Sequence, residues 1–243
     1  MPLAVSACQR LILALDVPTL EEALVLIREL KNDVGLFKLG LELYAHAGTR
    51  LFEAMKEEGV KFFFDCKFHD IPNTVASASK GLVGQNIAIF NVHATGGYEM
   101  MRATAEATHA AALAVKTEAP KIIAVTMLTS MNDNEANEIG FGKPISELVP
   151  SLALLTKKAG LDGVVASAQE VSAIRAACGP DFLIVTPGIR PAWSAKNDQK
   201  RIVTPAQAIA DGADYLVVGR PITQASDRID AAKKVVAEME SAL

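Results

Sequence analysis

Eight short apolar runs recur along the chain, each followed by a stretch of mixed polarity long enough for a helix. They are 11–16 (LILALD), 34–39 (VGLFKL), 60–67 (VKFFFDCK), 87–93 (IAIFNVH), 121–126 (KIIAVT), 163–167 (GVVAS), 182–186 (FLIVT) and 214–219 (DYLVVG). The runs are rich in branched and aromatic residues and carry few charges except at their C-terminal ends. Unbroken apolar character of this kind marks strands buried on both faces, as in a parallel sheet. Between the runs, Thr19 with Glu22 three positions on forms a capping-box pattern ahead of an apolar stripe at Leu24, Ile27 and Leu30. Segment 98–117 is Ala-rich, and its Met and Ala residues read as helix-packing surface rather than as a cofactor box.

Strand–helix alternation without a break in composition predicts one domain over residues 1–243. A doubly wound open sheet usually begins with a G-x-G-x-x-G turn after its first strand, whereas the first run here ends in Asp16-Val17-Pro18. The length also suits a closed barrel. The expected fold is therefore a single-domain α/β structure, a (β/α)₈ TIM barrel.

Composition then limits the partners. Half of the chain is hydrophobic, enough for a large core. A net charge of −4 and the lack of any Lys/Arg block argue against nucleic acid, so an anionic ligand must be held by local charge. Cys8, Cys66 and Cys178 are scattered without a C-x-x-C spacing, which offers no disulfide framework or zinc site and suits a reducing cytosol. No apolar run approaches the roughly 18 residues of a membrane helix. The stretch Met1 to Asp16 lacks a basic segment before its Leu-rich part and reads as a strand rather than a signal peptide. A cytoplasmic protein that touches neither membrane nor nucleic acid is expected.

Chemistry in a barrel gathers at the C-terminal ends of the strands, and alternate strand residues point inward. Ile12, Ala14 and Asp16 share one face of the first strand, Lys38 ends the second, and Asp65 and Lys67 stand two apart on the third. Phe64 and Cys66 then face the helices, Cys66 as a small hydrophobe. Asp16, Lys38, Asp65 and Lys67 thus meet at one rim with alternating sign. A structural salt-bridge network is the plain alternative, but buried ion pairs are costly to desolvate and add little stability. Four charges at a mouth favour a functional site.

After the third strand, Pro72 suits the first turn of a helix with Asp70 or Ile71 near its N-cap, and Asp70 alone reads as a helix cap. His69 reads as a hydrogen-bonded loop residue. Thr186-Pro187-Gly188-Ile189-Arg190-Pro191 and Val218-Gly219-Arg220-Pro221 follow the seventh and eighth strands, the usual phosphate position in barrels. Gly188 and Gly219 admit backbone amides to an anion while Arg190 and Arg220 supply charge. The long polar connections 127–143 and 187–203, read as structureless loops, are expected to close over the ligand and exclude water.

Asp65-x-Lys67-x-x-Asp70-Ile71-Pro72-Asn73-Thr74 closely resembles the signature of the orotidine 5′-phosphate decarboxylase family, in its bacterial form. Leu15-Asp16, Phe37-Lys38, Leu128-Thr129-Ser130-Met131, Pro187-Gly188-Ile189-Arg190-Pro191 and Gly219-Arg220-Pro221 extend the resemblance along the whole chain. The D-x-K-x-x-D core is shared with a wider set of phosphate-binding barrels; the long form with His69 and Ile-Pro-Asn-Thr is more specific. The resemblance implies that Lys67 is the catalytic lysine, set between Asp65 and an aspartate matching Asp70. It implies that Asp70, Ile71 and Thr74 serve the active site of a partner subunit, so that a homodimer shares two sites. It further implies that Lys38 and Asp16 hold the ribose hydroxyls, that Thr129 touches the pyrimidine, and that Gln199, Gly219 and Arg220 grip the phosphate with Arg190 beside them. The family uses no metal and no organic cofactor. Two other readings stay open: a metal-dependent sugar-phosphate decarboxylase or epimerase, with Asp65, His69 or His93 at the ion, and a non-catalytic nucleotide-binding barrel.

Overall fold

The computed structural model describes residues 5–194 and 203–243. Its strands are β1 (Leu11–Ala14), β2 (Leu36–Leu39), β3 (Phe62–Phe68), β4 (Ile87–His93), β5 (Lys121–Val125), β6 (Gly163–Val165), β7 (Leu183–Thr186) and β8 (Tyr215–Val218). They pair in parallel in chain order, and β1 closes the sheet on β8 through Ile12 opposite Val217. Each expected run contains its strand, except that β3 continues one residue past its run to Phe68. β1, β5, β6 and β8 stop short of the run's end, so Asp16 and Gly219 lie just past the ladder, in the mouth.

Side chains alternate between the barrel interior and the helices as expected. Ile12, Ala14, Leu36, Phe63, Ile89, Ile123, Val185 and Val217 pack together inside the barrel. The intervening residues, Phe64, Cys66, Phe90 and Val92 among them, join the larger core between strands and helices. Strand contact is close enough at β6 that a Cβ on Gly163 would lie 2.2 Å from the Leu183 carbonyl oxygen. Only glycine fits there.

Helices fill the crossovers. Thr19 Oγ1 accepts from Glu22 N at 3.2 Å and starts the helix Leu20–Leu30. Its buried face is Ala23, Leu26, Ile27 and Leu30, with Leu24 only partly buried. The stripe is turned from the expected one, with Ala23 buried in place of Leu24. The Ala-rich helix Tyr98–Ala114 buries Met100, Met101 and Ala105 and packs closely on the helix Pro72–Lys80.

Two elements were not anticipated. A short helix Ala7–Arg10 precedes β1, with Ser6 and Gln9 capping each other reciprocally. The connection 127–143 is not structureless as expected, because it holds the helix Asp133–Glu138. Asn132 Oδ1 accepts from Asn134 N and Glu135 N, Glu135 accepts from Asn132 N, and Asp133 Oδ1 accepts from Ile145 N at 2.8 Å. A run of small polar residues concealed that capping box. In the connection 187–203, Ile189 bridges to Val203, and residues 195–202 lie outside the described residues. Among the described residues no helix is long and apolar enough to cross a membrane.

At the opposite end from the mouth, Arg175 of the helix Val171–Cys178 ties β7 and β8 together. Its guanidinium donates to the carbonyls of Gly179, Phe182 and Gly212 and pairs with Asp214 at 2.6 Å. Asp214 Oδ2 in turn accepts from Ile184 N at 2.8 Å. Breaking such a pair strands a carboxylate, so Arg175→Ala is expected to lower the unfolding free energy by about 3 kcal/mol. Since the bottom of a barrel serves stability, ligand affinity at the mouth should not change. Urea unfolding monitored by circular dichroism, alongside ligand titration, checks both halves.

Candidate active site

The mouth is laid out by a fault in the ladder between β3 and β4. Phe64 pairs with Phe90 and Phe68 with Val92, so β3 takes four steps where β4 takes two. The extra length is a bulge over Asp65-Cys66-Lys67 that turns Asp65 and Lys67 to the cavity and Cys66 to the helix-side core. Lys67 takes φ +50°. That left-handed conformation costs a residue with a side chain on the order of 1 kcal/mol. The bulge also lifts the Lys67 N–H off the ladder, and fully buried Asn91 of β4 receives it, with Oδ1 at 2.7 Å. The Cys66 thiol donates to the Asn91 carbonyl at 3.1 Å. Burial pushes that thiol up to about 12, which makes it a poor nucleophile.

From the bulge a string of charges crosses the strand ends. Lys67 Nζ lies 2.7 Å from Asp65 Oδ1, Lys38 Nζ lies 3.5 Å from Asp65 Oδ2, and Lys38 Nζ lies 3.0 Å from Asp16 Oδ1. Asn91 Nδ2 adds a hydrogen bond to Asp65 Oδ1 at 2.7 Å. The side chains of Lys38 and Asp65 are only 11% and 13% exposed, whereas Asp16 is open to solvent at the rim. Burial alone would raise the Asp65 carboxyl. The charges of Lys38 and Lys67, with the hydrogen bonds from Lys67 and Asn91, outweigh burial and hold it below the usual carboxylate range. A carboxyl held low stays ionised at neutral pH. Its contribution to stability is full above the ordinary carboxylate value and is lost only as pH falls through the depressed one.

Opposite this string stands the other half of a cavity of about 300 Å³, the size of a small-ligand pocket. Gly188, in the left-handed region at φ +78°, and buried Arg190 follow β7, while Gly219 and Arg220 follow β8 at the start of a one-turn helix Arg220–Thr223. All four line the cavity, and so does Thr129 beyond β5. The floor is apolar, made by Ala14, Phe63, Val125, Val165 and Val217. Beside the string, the rings of His69 and His93 face each other with centroids 5.3 Å apart. Burial, together with His69 and Lys67, holds His93 below the usual imidazole range. Among the described residues, no three or more His, Cys, Asp or Glu side chains are grouped so as to hold a metal ion.

Eight of the expected site residues therefore share one cavity: Asp16, Lys38, Asp65, Lys67, Thr129, Arg190, Gly219 and Arg220. Asp70, Ile71 and Thr74 do not line it and are exposed. Nor is Asp70 the cap of the next helix. Ile71 occupies the N-cap of the helix Pro72–Lys80, no side chain caps it, and Asp70 Oδ1 accepts only from the adjacent Ile71 N at 2.6 Å. Gln199 lies outside the described residues. The residue that sequence reasoning missed is Asn91. Its signal was an amide at an inward position in the middle of a mostly apolar strand, between Ile89 and His93.

A model of the orotidine 5′-phosphate decarboxylase / HUMPS family matches residues 9–235. The chain is 51% identical over 236 residues to an orotidine 5′-phosphate decarboxylase of Syntrophomonas wolfei, covering 96% of this chain and 99% of that one. It is 52% identical over 235 residues to the namesake from Carboxydothermus hydrogenoformans, covering 97% and 98%. The crystal structure of orotidine 5′-phosphate decarboxylase from Lactobacillus acidophilus superposes with a TM-score of 0.83 at 38% identity, covering 94% of this chain and 98% of that one. The likeness spans barrel, mouth and motif alike, and this chain belongs to the orotidine 5′-phosphate decarboxylase / HUMPS family.

Proposed function

We propose that this protein decarboxylates orotidine 5′-phosphate to UMP in de novo pyrimidine biosynthesis, without a metal or organic cofactor. It acts as one catalytic domain over residues 1–243, in the cytoplasm, as a homodimer. The observation that carries the reading is the Lys67 ammonium 2.7 Å from a buried, ionised Asp65, with Lys38 behind it, on the wall of a cavity whose far side offers Arg190 and Arg220.

Loss of CO₂ from C6 of the pyrimidine leaves an electron pair in the ring plane, where the π system cannot spread it. Most decarboxylases supply an electron sink. Here preorganised charge takes that place. The bond from C6 to the carboxylate breaks, the pair stays on C6, and the Lys67 Nζ proton passes to C6, giving UMP. At an effective dielectric near 20, a cation 4 Å from the new anion contributes about 4 kcal/mol. Ionised Asp65 faces the substrate carboxylate, so departure of CO₂ also relieves a repulsion between like charges. The rest of the stabilisation comes from remote binding: Gly219, Arg220, Arg190 and Gln199 on the phosphate, Asp16 and Lys38 on the ribose, and Thr129 on the pyrimidine.

Asp70, Ile71 and Thr74 serve the other subunit. They stand exposed on the segment leaving β3, and Ile71, an apolar side chain, is 66% exposed. An apolar residue there is at home against a second copy, and Asp70 from that copy completes the acids around Lys67.

Metal-free protein given orotidine 5′-phosphate should lower the absorbance on the long-wavelength side of the substrate's ultraviolet band at the same rate with and without chelator. Lys67→Ala should lose at least about 10⁴-fold in turnover, because it removes proton donor and field together, while still binding UMP; substantial residual turnover refutes Lys67 as the donor. Arg220→Ala is expected to raise KM about 10- to 100-fold, the value of a charge-assisted contact, and to leave the phosphate-free nucleoside unaffected. An unchanged preference for the phosphorylated substrate removes Arg220 from the grip. For the shared sites, Lys67→Ala and Asp70→Ala dimers should each be inactive, yet recover about a quarter of wild-type activity after unfolding and refolding together in equal amounts. No recovery would place Asp70 outside the partner's site.

A further inference from the structure

We propose that Asn91 is a positioning residue for the reaction, one that sets the backbone conformation of Lys67 and the direction of its ammonium without touching the substrate. The proposal rests on the reading of Lys67 as proton donor. Both ends of the Asn91 carboxamide are used: Oδ1 accepts from Lys67 N and Nδ2 donates to Asp65 Oδ1, each at 2.7 Å. The same Asp65 oxygen receives Lys67 Nζ at 2.7 Å. Asn91 thus grips the lysine at its two ends, directly at the backbone and through Asp65 at the ammonium. The carboxamide is fully buried and off the cavity wall, so it reaches the site only through Asp65 and Lys67.

The grip acts against a conformation the lysine would not choose. At φ +50° Lys67 is in the left-handed region, inside a bulge that removes its ladder partner. Without an acceptor at Asn91 Oδ1, the Lys67 N–H would be left buried and unbonded unless the bulge relaxed. Relaxation turns the side chain away from the cavity, since strand direction and side-chain direction are coupled. Asp65 faces a parallel constraint. Two lysines attract its carboxylate, but an ion pair fixes distance better than orientation, whereas an N–H donor fixes the rotamer. A carboxamide is needed for this, because one group must accept at one end and donate at the other.

Asn91→Asp separates positioning from packing. The charged and titratable groups facing position 91 are Asp65, Lys67 and the Cys66 thiol from β3, Lys38 of β2 behind Asp65, and His93 on its own strand; β5 presents apolar Ile123 across the ladder. When protonated, the introduced carboxyl can accept from Lys67 N and donate to Asp65 as the amide does. When ionised it can only accept, and it repels Asp65. Asn91→Asp should therefore have near wild-type kcat at low pH and lose it about 10²-fold as pH rises through the new group, a limb absent from the wild type. Asn91→Ala should lose about 10²-fold in kcat at every pH, with UMP affinity within about threefold of wild type. Wild-type kcat in folded Asn91→Ala overturns the proposal, and so does a pH profile of Asn91→Asp that matches the wild type. Should Asn91→Ala fail to fold, the profile of Asn91→Asp decides alone. Lys67→Ala is assayed in parallel: if it stays active the assignment of the proton donor has failed, and if it is inactive while Asn91→Ala keeps its kcat only the positioning role has failed.

Discussion

A carboxylate that is 13% exposed, as Asp65 is, has given up most of its water. Desolvation of that kind costs several kcal/mol and must be offset by cations and donors held at fixed places. Three adjacent strands supply them, Lys38 from β2, Lys67 from β3 itself and Asn91 from β4. None of the three can move away without leaving a buried charge unmatched. The mouth is therefore a set of mutually dependent positions, and its rigidity lets a lysine ammonium act as a fixed charge before any substrate arrives. The registers that pair Lys38 with Phe63 and Phe64 with Phe90 are what set those groups side by side.

Around this carboxylate the remaining titratable groups are kept out of competition. Cys66 is turned into the core with its thiol pushed up to about 12, so it cannot act as a rival nucleophile. His93 is held low by burial and by His69 and Lys67 beside it, and in the neutral form adds no positive charge next to Lys67. Arg190 and Arg220 lie across an apolar floor that includes Val217 and Val165. The cavity thus separates a wall of arginines and glycines suited to an anion from a wall of fixed alternating charge. Binding at the first wall can hold a substrate against the second, which is how remote contacts serve chemistry elsewhere.

Some of this was legible in the chain. Period-two alternation located Asp65 and Lys67 on the cavity side, though for an incomplete reason: a bulge and a left-handed Lys67, not a regular strand, complete the placement. Gly-Arg turns after β7 and β8 marked the anion wall because barrel topology brings those two loops together. Asn91 escaped notice because an asparagine in an apolar run reads as a blemish until the strand beside it is known to lack a partner. Asp70 was legible as a motif residue but not as geometry, since the fold leaves it exposed and off the cavity wall.

By itself the sequence determined the eight strands, their burial on both faces and the signs of charge at their ends. Each of these follows from periodicity and local polarity, which are properties of neighbours along the chain. Tertiary structure decided the bulge between β3 and β4, the left-handed turn at Lys67 and the grip of Asn91 on both ends of the charge network. Those depend on which hydrogen bonds are left over once two strands have been laid side by side. A ladder's missing partner exists only in the folded sheet, and no local pattern records it.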